Sequence, residues 1–335
     1  MHNEKAPVPS ERESPIDRLT RMLFGRPATR SIDQTTPDTT MDDNTYQRVA
    51  DALLKDTETA GYIDIRGDML LMTGERYADQ NGSSGAEESP FWLLPDDADP
   101  IPINNSDDLA TELADIEYSL LDAALFYQTE AVEALIDGGA DLEACDPYGV
   151  TPLMITSVPD IKKMLCEAGA QVDARDIDGM TALQRAAKND DPKSIQVLLD
   201  AGADVNAQTN YGMTALHYAV LPEDFSLVDR PIAAKQNAPQ SIRMLLAAGA
   251  QVDARDETGD TALHVAAECD DPESVSVLLD AGADSTLVNR RGERAEEVAQ
   301  GKAKDILTAE RERGILRQVV GLNDTEEPVQ RSRRM

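Results

Sequence analysis

The stretch AAKNDDPKSIQVLLDAGADVN, Ala186 to Asn206, returns almost unchanged as AAECDDPESVSVLLDAGADST from Ala266 to Thr286. The copies start 80 residues apart, and glycines and aspartates match along with the common apolar residues. Matching of that kind means one backbone geometry or one binding chemistry served twice. AGAQVDARD, at Ala168 and again at Ala248, repeats at the same offset, which implies duplication of a two-unit block.

Working outward, the chain aligns on the glycines of DPYGVTPL, DIDGMTAL, NYGMTAL, DETGDTAL and NRRGERA. These are Gly149, Gly179, Gly212, Gly259 and Gly292, at intervals of 30, 33, 47 and 33 residues. A 33-residue period therefore carries one short unit and one insertion. LDAALFYQTEAVEALIDGGADLEAC, Leu121 to Cys145, supplies a further unit upstream.

Each unit parses physically. The aligned glycine suits a tight turn that needs a positive φ. Thr181, Thr214 and Thr261 follow it by two residues, placed to cap a first helix. Asp191-Pro192 and Asp271-Pro272 open a second helix with a capping carboxylate and a proline in the first turn. Ile195, Leu198 and Leu199 fall at helical spacing for burial, and Gly202 stops the helix.

The TALH strings at Thr214–His217 and Thr261–His264, with the recurrent GAD and GAQ endings, resemble ankyrin repeats over roughly residues 118–316. The resemblance implies a β-turn and two antiparallel helices per unit, stacked as a solenoid with a concave face. It implies a structural role for His217 and His264. Met154 stands where the family has histidine, and the link TSVPDIK is short. The first unit reads as an N-terminal cap and the charged last unit as a C-terminal cap. The expected fold is mainly α: an ankyrin solenoid over 106–316, an insertion at 221–238, a small acidic α+β segment at 41–105, a disordered tail at 1–40 and a C-terminal tail at 317–335.

Acids outnumber bases 63 to 31, for a net charge of −32. Residues 41–116 hold eighteen acids against four bases, and residues 117–316 hold 36 against 17. Such a surface repels nucleic acid and anionic lipid, so neither direct nucleic-acid binding nor stable membrane association is expected. Its origin is open between a proteome-wide bias, since Arg outnumbers Lys 22 to 9, and a partner-specific role. Neither a membrane span nor a secretory leader is legible, and three cysteines form no framework, so a cytoplasmic monomer is expected.

Nothing in the sequence points to catalysis. Beyond the two repeat histidines only His2 remains, which leaves little material for acid–base chemistry or a histidine-containing zinc site. Asp190-Asp191 and Asp270-Asp271 lack the spacing of a cation loop, and capping explains one aspartate of each pair. The RGD at Arg66–Asp68 has no secretory context. No enzyme, metal or cofactor is expected.

A protein partner is expected instead. By resemblance, partners meet the turn tips and the inner helix face. At the tips Tyr148, Val150, Ile177, Met180, Tyr211 and Met213 read as an apolar row over three units, giving way to acidic Glu257 and Asp260. Grouped exposed apolar side chains mark a binding surface, or else pack against the chain's own N-terminal segment. Phe225, within the insertion, is a further contact candidate. The basic amphipathic stretch SPIDRLTRMLFGRP in the tail reads as a docking peptide. The reading is a regulatory or inhibitory interaction protein. Its rivals are an acidic mimic that blocks a basic nucleic-acid-binding protein, and a small N-terminal enzyme targeted by the repeats.

Overall fold

A computed structural model describes residues 41–60, 62–66, 69–73, 90–95, 100–115, 118–221 and 238–320. The tail 1–40 with its amphipathic stretch, the body of the insertion with Phe225, and residues 321–335 lie outside them.

The N-terminal layer begins with α1, Asp43–Ala60. Its apolar stripe buries Val49, Ala50 and Leu53 completely, with Tyr46 half-buried beside them. Four antiparallel strands follow in the order β1 (Tyr62–Arg66), β2 (Met69–Thr73), β3 (Phe91–Pro95) and β4 (Ile101–Ile103). Ile63, Leu71, Leu93 and Ile101 stand opposite one another across the sheet. Ile65, Leu71, Leu93 and Ile103 are fully buried, and α1 packs on β1 and β2.

Helix α2, Ser106–Asp115, lies within the span expected for the repeat array. It packs on α1 and β4, burying Leu109 and Leu113. Asn105 Oδ1 accepts the N–H of Asp108 in the first turn at 3.0 Å. Ser106 Oγ accepts from Gln47 Nε2 in α1 at 2.6 Å. The N-terminal layer thus runs through residue 115.

Six helix pairs follow. They are α3 (Leu120–Leu125) with α4 (Thr129–Asp137), α5 (Pro152–Ile155) with α6 (Pro159–Ala168), and α7 (Ala182–Lys188) with α8 (Pro192–Asp200). Then come α9 (Ala215–Val220) with α10 (Ala238–Ala247), α11 (Ala262–Glu268) with α12 (Pro272–Asp280), and α13 (Ala295–Val298) with α14 (Gly301–Val320). First helices are short, and α3, α7, α9 and α11 are alanine-rich, so first helices of neighbouring units pack closely. Asp191 Oδ1 accepts the N–H groups of Lys193 and Ser194, and Asp271 Oδ1 those of Glu273 and Ser274, each at 3.1 Å.

The layer and the array are joined through the first unit. Tyr118 Oη donates to Gln128 Oε1, and Gln128 Nε2 donates to the carbonyl of Asp64 in β1. Both side chains are buried. Helix α1 packs on α4, covering the face of the first unit that no earlier repeat covers.

Candidate partner-binding surface

The turn tips form a continuous backbone ladder. Ile177 N donates to Tyr148 O, Asn210 N to Asp178 O, Glu257 N to Tyr211 O and Arg290 N to Thr258 O, each at 2.9 Å. Inside each tip one side chain ties two amides. Asp146, Asp176 and Asp256 accept through Oδ1 from the residues two and four further on, at 2.8–2.9 Å. Thr209 and Asn289 do the same in their units. Part of the acidity is therefore turn chemistry. Gly179 has φ +76°, and a Cβ there would come within 2.9 Å of Asn210 N, so the stacking of tips requires a glycine.

The expected six-residue apolar row is corrected to a pair. Tyr148 and Ile177 are 52% and 60% exposed, on successive units. Val150, Met180 and Met213 are buried, at 6%, 5% and 3% exposure, and belong to the core cluster. Each directly precedes the N-cap threonine of a first helix, Thr151, Thr181 or Thr214. An apolar residue at that position folds over the helix start rather than out to solvent. Tyr211 is half-buried against the core, with its hydroxyl 3.5 Å from Asp178 Oδ1. Glu257 is exposed, whereas Asp260 is half-buried and accepts from Asn289 Nδ2 at 2.9 Å and Thr258 Oγ1 at 2.6 Å.

His217 and His264 are buried inter-unit fasteners. Each Nδ1 accepts the N–H of its capping threonine, at 3.2 and 3.3 Å. That leaves Nε2 to donate to the next unit, to Asp260 O at 3.2 Å and Glu293 O at 3.1 Å. Burial pushes the His217 pKa down, against the opposing pull of the Asp260 carbonyl. Gln184 fills the role in the third unit, bonding Thr181 N, Ala207 O and Met213 O.

The other aspartate of each acidic pair, the one that does not cap, also has a local duty. Asp190 and Asp270 take φ of 52° and 49° at the turn between helices. Asp190 Oδ1 accepts from Ser241 Oγ, and Asp270 Oδ1 from Ala303 N. Among the described residues no cluster of three or more His, Cys, Asp or Glu could hold a metal ion. Cys145, Cys166 and Cys269 form no disulfide among the described residues, and burial raises the pKa of Cys166.

The second unit is irregular in a way the sequence reading missed. Counting back from Gly169, Lys162 occupies the column of Val132, Ile195, Ile242 and Val275, all fully buried. Lys162 is itself 2% exposed, and its Nζ donates to Leu153 O at 2.9 Å. Burial pulls its pKa down to about 8, with nearby Asp191 working against the shift. The helix α5 has four residues where α7 has seven, and Met154 gives Thr151 no partner: Thr151 Oγ1 is buried without a hydrogen bond. A pocket of about 240 Å³ opens there, lined by Met154, Thr156, Lys162, Arg185, Asn189 and Asp191 among others.

Stacked helix pairs joined by a tip ladder define a repeat solenoid, an architecture that offers an extended concave surface. The family model for ankyrin repeats matches in three copies, over residues 120–209, 159–228 and 232–300. These cover more than half of the 335 residues, and the chain belongs to the ankyrin repeat family. Comparison with curated proteins returns no match. Ankyrin repeats generally act as protein–protein interaction modules. No helix among the described residues is long and apolar enough to cross a membrane.

Proposed function

We propose that this protein is a non-enzymatic binding module that presents Tyr148 and Ile177 to a protein partner. The observation that carries this reading is their exposure, at 52% and 60%, on tips locked together by a backbone bond. A rigid row of tips loses little ordering entropy on association, and a tyrosine beside an isoleucine is the kind of anchor an interface core uses. Exposed Glu257, two tips further along, would give the rim a negative charge. The role is regulatory or inhibitory, since rigid presentation blocks or positions a partner and transforms nothing.

The test is affinity capture from the source lysate with the full chain and a Tyr148→Ser/Ile177→Lys variant, at low and moderate salt. A partner held by the parent in moderate salt and lost by the variant supports the reading. A basic nucleic-acid-binding protein held by both and released by moderate salt would replace it with charge mimicry, which the net charge of −32 favours.

A further inference from the structure

The cavity between the second and third units is more than a packing defect. Unit two has three residues fewer than the 33-residue period, which truncates α5. Into the column that other units fill with valine or isoleucine it places a lysine. Among the described residues Lys162 Nζ has one hydrogen-bond acceptor, Leu153 O, so two of its three N–H groups remain unspent. Arg185 Nη2 is held by Asp176 Oδ2 at 2.6 Å, while its Nε is buried with no hydrogen-bond partner. Both side chains line the same pocket.

Buried donors without acceptors are costly, and buried cations more so, unless something supplies oxygen atoms. We propose that this pocket is a carboxylate-binding subsite, which takes one acidic side chain or C-terminal carboxylate of a bound peptide between Lys162 and Arg185. The inference rests on the reading of the array as a protein binder.

The charge inventory disfavours a multiply charged ligand. Asp191 is the acid in the lining, and its Oδ1 is committed to capping α8. Asp176 pairs with Arg185 and Asp191 stands beside Lys162, so the four formal charges sum to zero. A carboxylate is held by the unspent N–H donors of Lys162 and Arg185 rather than by a surplus of charge. A dianionic phosphate would be left undercompensated. Thr156, Ser157 and Asn189 add neutral polar groups to the lining, and Met154 an apolar one. The volume, about 240 Å³, falls below the roughly 300–1,000 Å³ typical of enclosed small-molecule sites, and suits a side chain or chain end. Because the surrounding protein is strongly acidic, polyanions are repelled. The preferred ligand is a neutral or basic peptide carrying one carboxylate.

The experiment is an NMR titration of the full chain labelled with ¹³C at the lysine ε-carbons. The Lys162 signal is the one lost in Lys162→Ile. The probes are Ac-Ala-Glu-Ala-NH2, Ac-Ala-Gln-Ala-NH2 and Ac-Ala-Gln-Ala with a free C-terminus. A saturable shift of the Lys162 signal is expected from one or both carboxylate peptides, with its pKa moving upward because an ion pair favours the charged amine. Which of the two acts identifies the side chain or the chain end as the source. The fully amidated glutamine peptide should leave the signal in place. Arg185→Gln, which keeps the reporting lysine, should weaken binding at least tenfold. Equal shifts from the amidated glutamine peptide, no shift from either carboxylate, or unchanged affinity in Arg185→Gln would each overturn the proposal. Failure here leaves the tip capture experiment intact, so the two readings fail separately.

Discussion

Ile177 N–H donates to Tyr148 O at 2.9 Å, so two exposed side chains on successive units are held at one fixed spacing by the main chain alone. The side chains are therefore dispensable for stability. Tyr148→Ser and Ile177→Lys, singly or together, should shift unfolding free energy by no more than about 0.5 kcal/mol, as for ordinary surface substitutions. Chemical denaturation of the purified variants checks this. A loss above about 1 kcal/mol would show that the two side chains are covered by the chain itself.

Met180 is the contrast, three residues after Ile177 and 5% exposed. Its backbone is bound on both sides, N–H to Asp176 Oδ1 at 2.8 Å and carbonyl to Asp176 N at 3.1 Å, which aims the side chain into the stack. Met180→Lys should cost about 3 kcal/mol or more, since it buries an unpaired ammonium and removes a packed side chain. A thermal melt close to that of the parent would mean that Met180 reaches solvent and that the apolar row is longer than two residues.

Met180 also shows where sequence reading stops. The period, the turn glycines, the threonine caps and the Asp-Pro helix starts are local backbone chemistry, and each is legible from residue type and spacing. Side-chain direction at a tip is not carried by apolar character. Ile177 and Met180 look equally apolar in sequence, and it is the bonding of Met180 to Asp176 within its own tip, just before the N-cap Thr181, that turns it inward. Strands β3 and β4 were hidden for a related reason, because FWLLPDDADPIPI carries prolines and an acidic run that mask its pairing. Lys162 was hidden by registration. Counted forward from Gly149 it falls opposite Pro192, whereas counted back from Gly169 it falls opposite Ile195. The three-residue deletion lies between those two anchors.

Lys162 gives a pH prediction with a definite sign. Its pKa of about 8 in the folded protein lies below the ordinary 10.5, so the unfolded chain binds more protons between those values. Native stability due to this group therefore rises as pH increases from 8 to 10.5, and is lost again as pH falls back through 8. The full difference is roughly 3 kcal/mol at 1.36 kcal/mol per pKa unit. Lys162→Ile should remove this dependence and, near pH 7, should be more stable than the parent, because isoleucine suits the column. Urea midpoints of both proteins at pH 7 and pH 10, compared as a difference, cancel the other titrating groups. A variant less stable than the parent at pH 7 would mean that the ammonium and its bond to Leu153 O hold the short unit together.

The junction between the N-terminal layer and the array turns on Gly138, which caps α4 with an ordinary φ of −75°. A Cβ built there would overlap the Thr45 side chain of α1, whereas one built at Gly139 meets nothing within 4 Å. Gly139 has φ +84°, so its objection to a side chain is conformational instead. Two adjacent Gly→Ala substitutions should then destabilise for different reasons. Gly139→Ala should cost about 1–2 kcal/mol regardless of what stands at position 45. The cost of Gly138→Ala should shrink when Thr45 is also replaced by alanine, since that deletes the hydroxyl and methyl it strikes. A double-mutant cycle by chemical denaturation measures the coupling, expected at about 0.5–3 kcal/mol for Gly138 with Thr45 and near zero for Gly139 with Thr45. Additive behaviour at Gly138 would mean that α1 does not seat on α4 in solution, and the first repeat would then need a different cover.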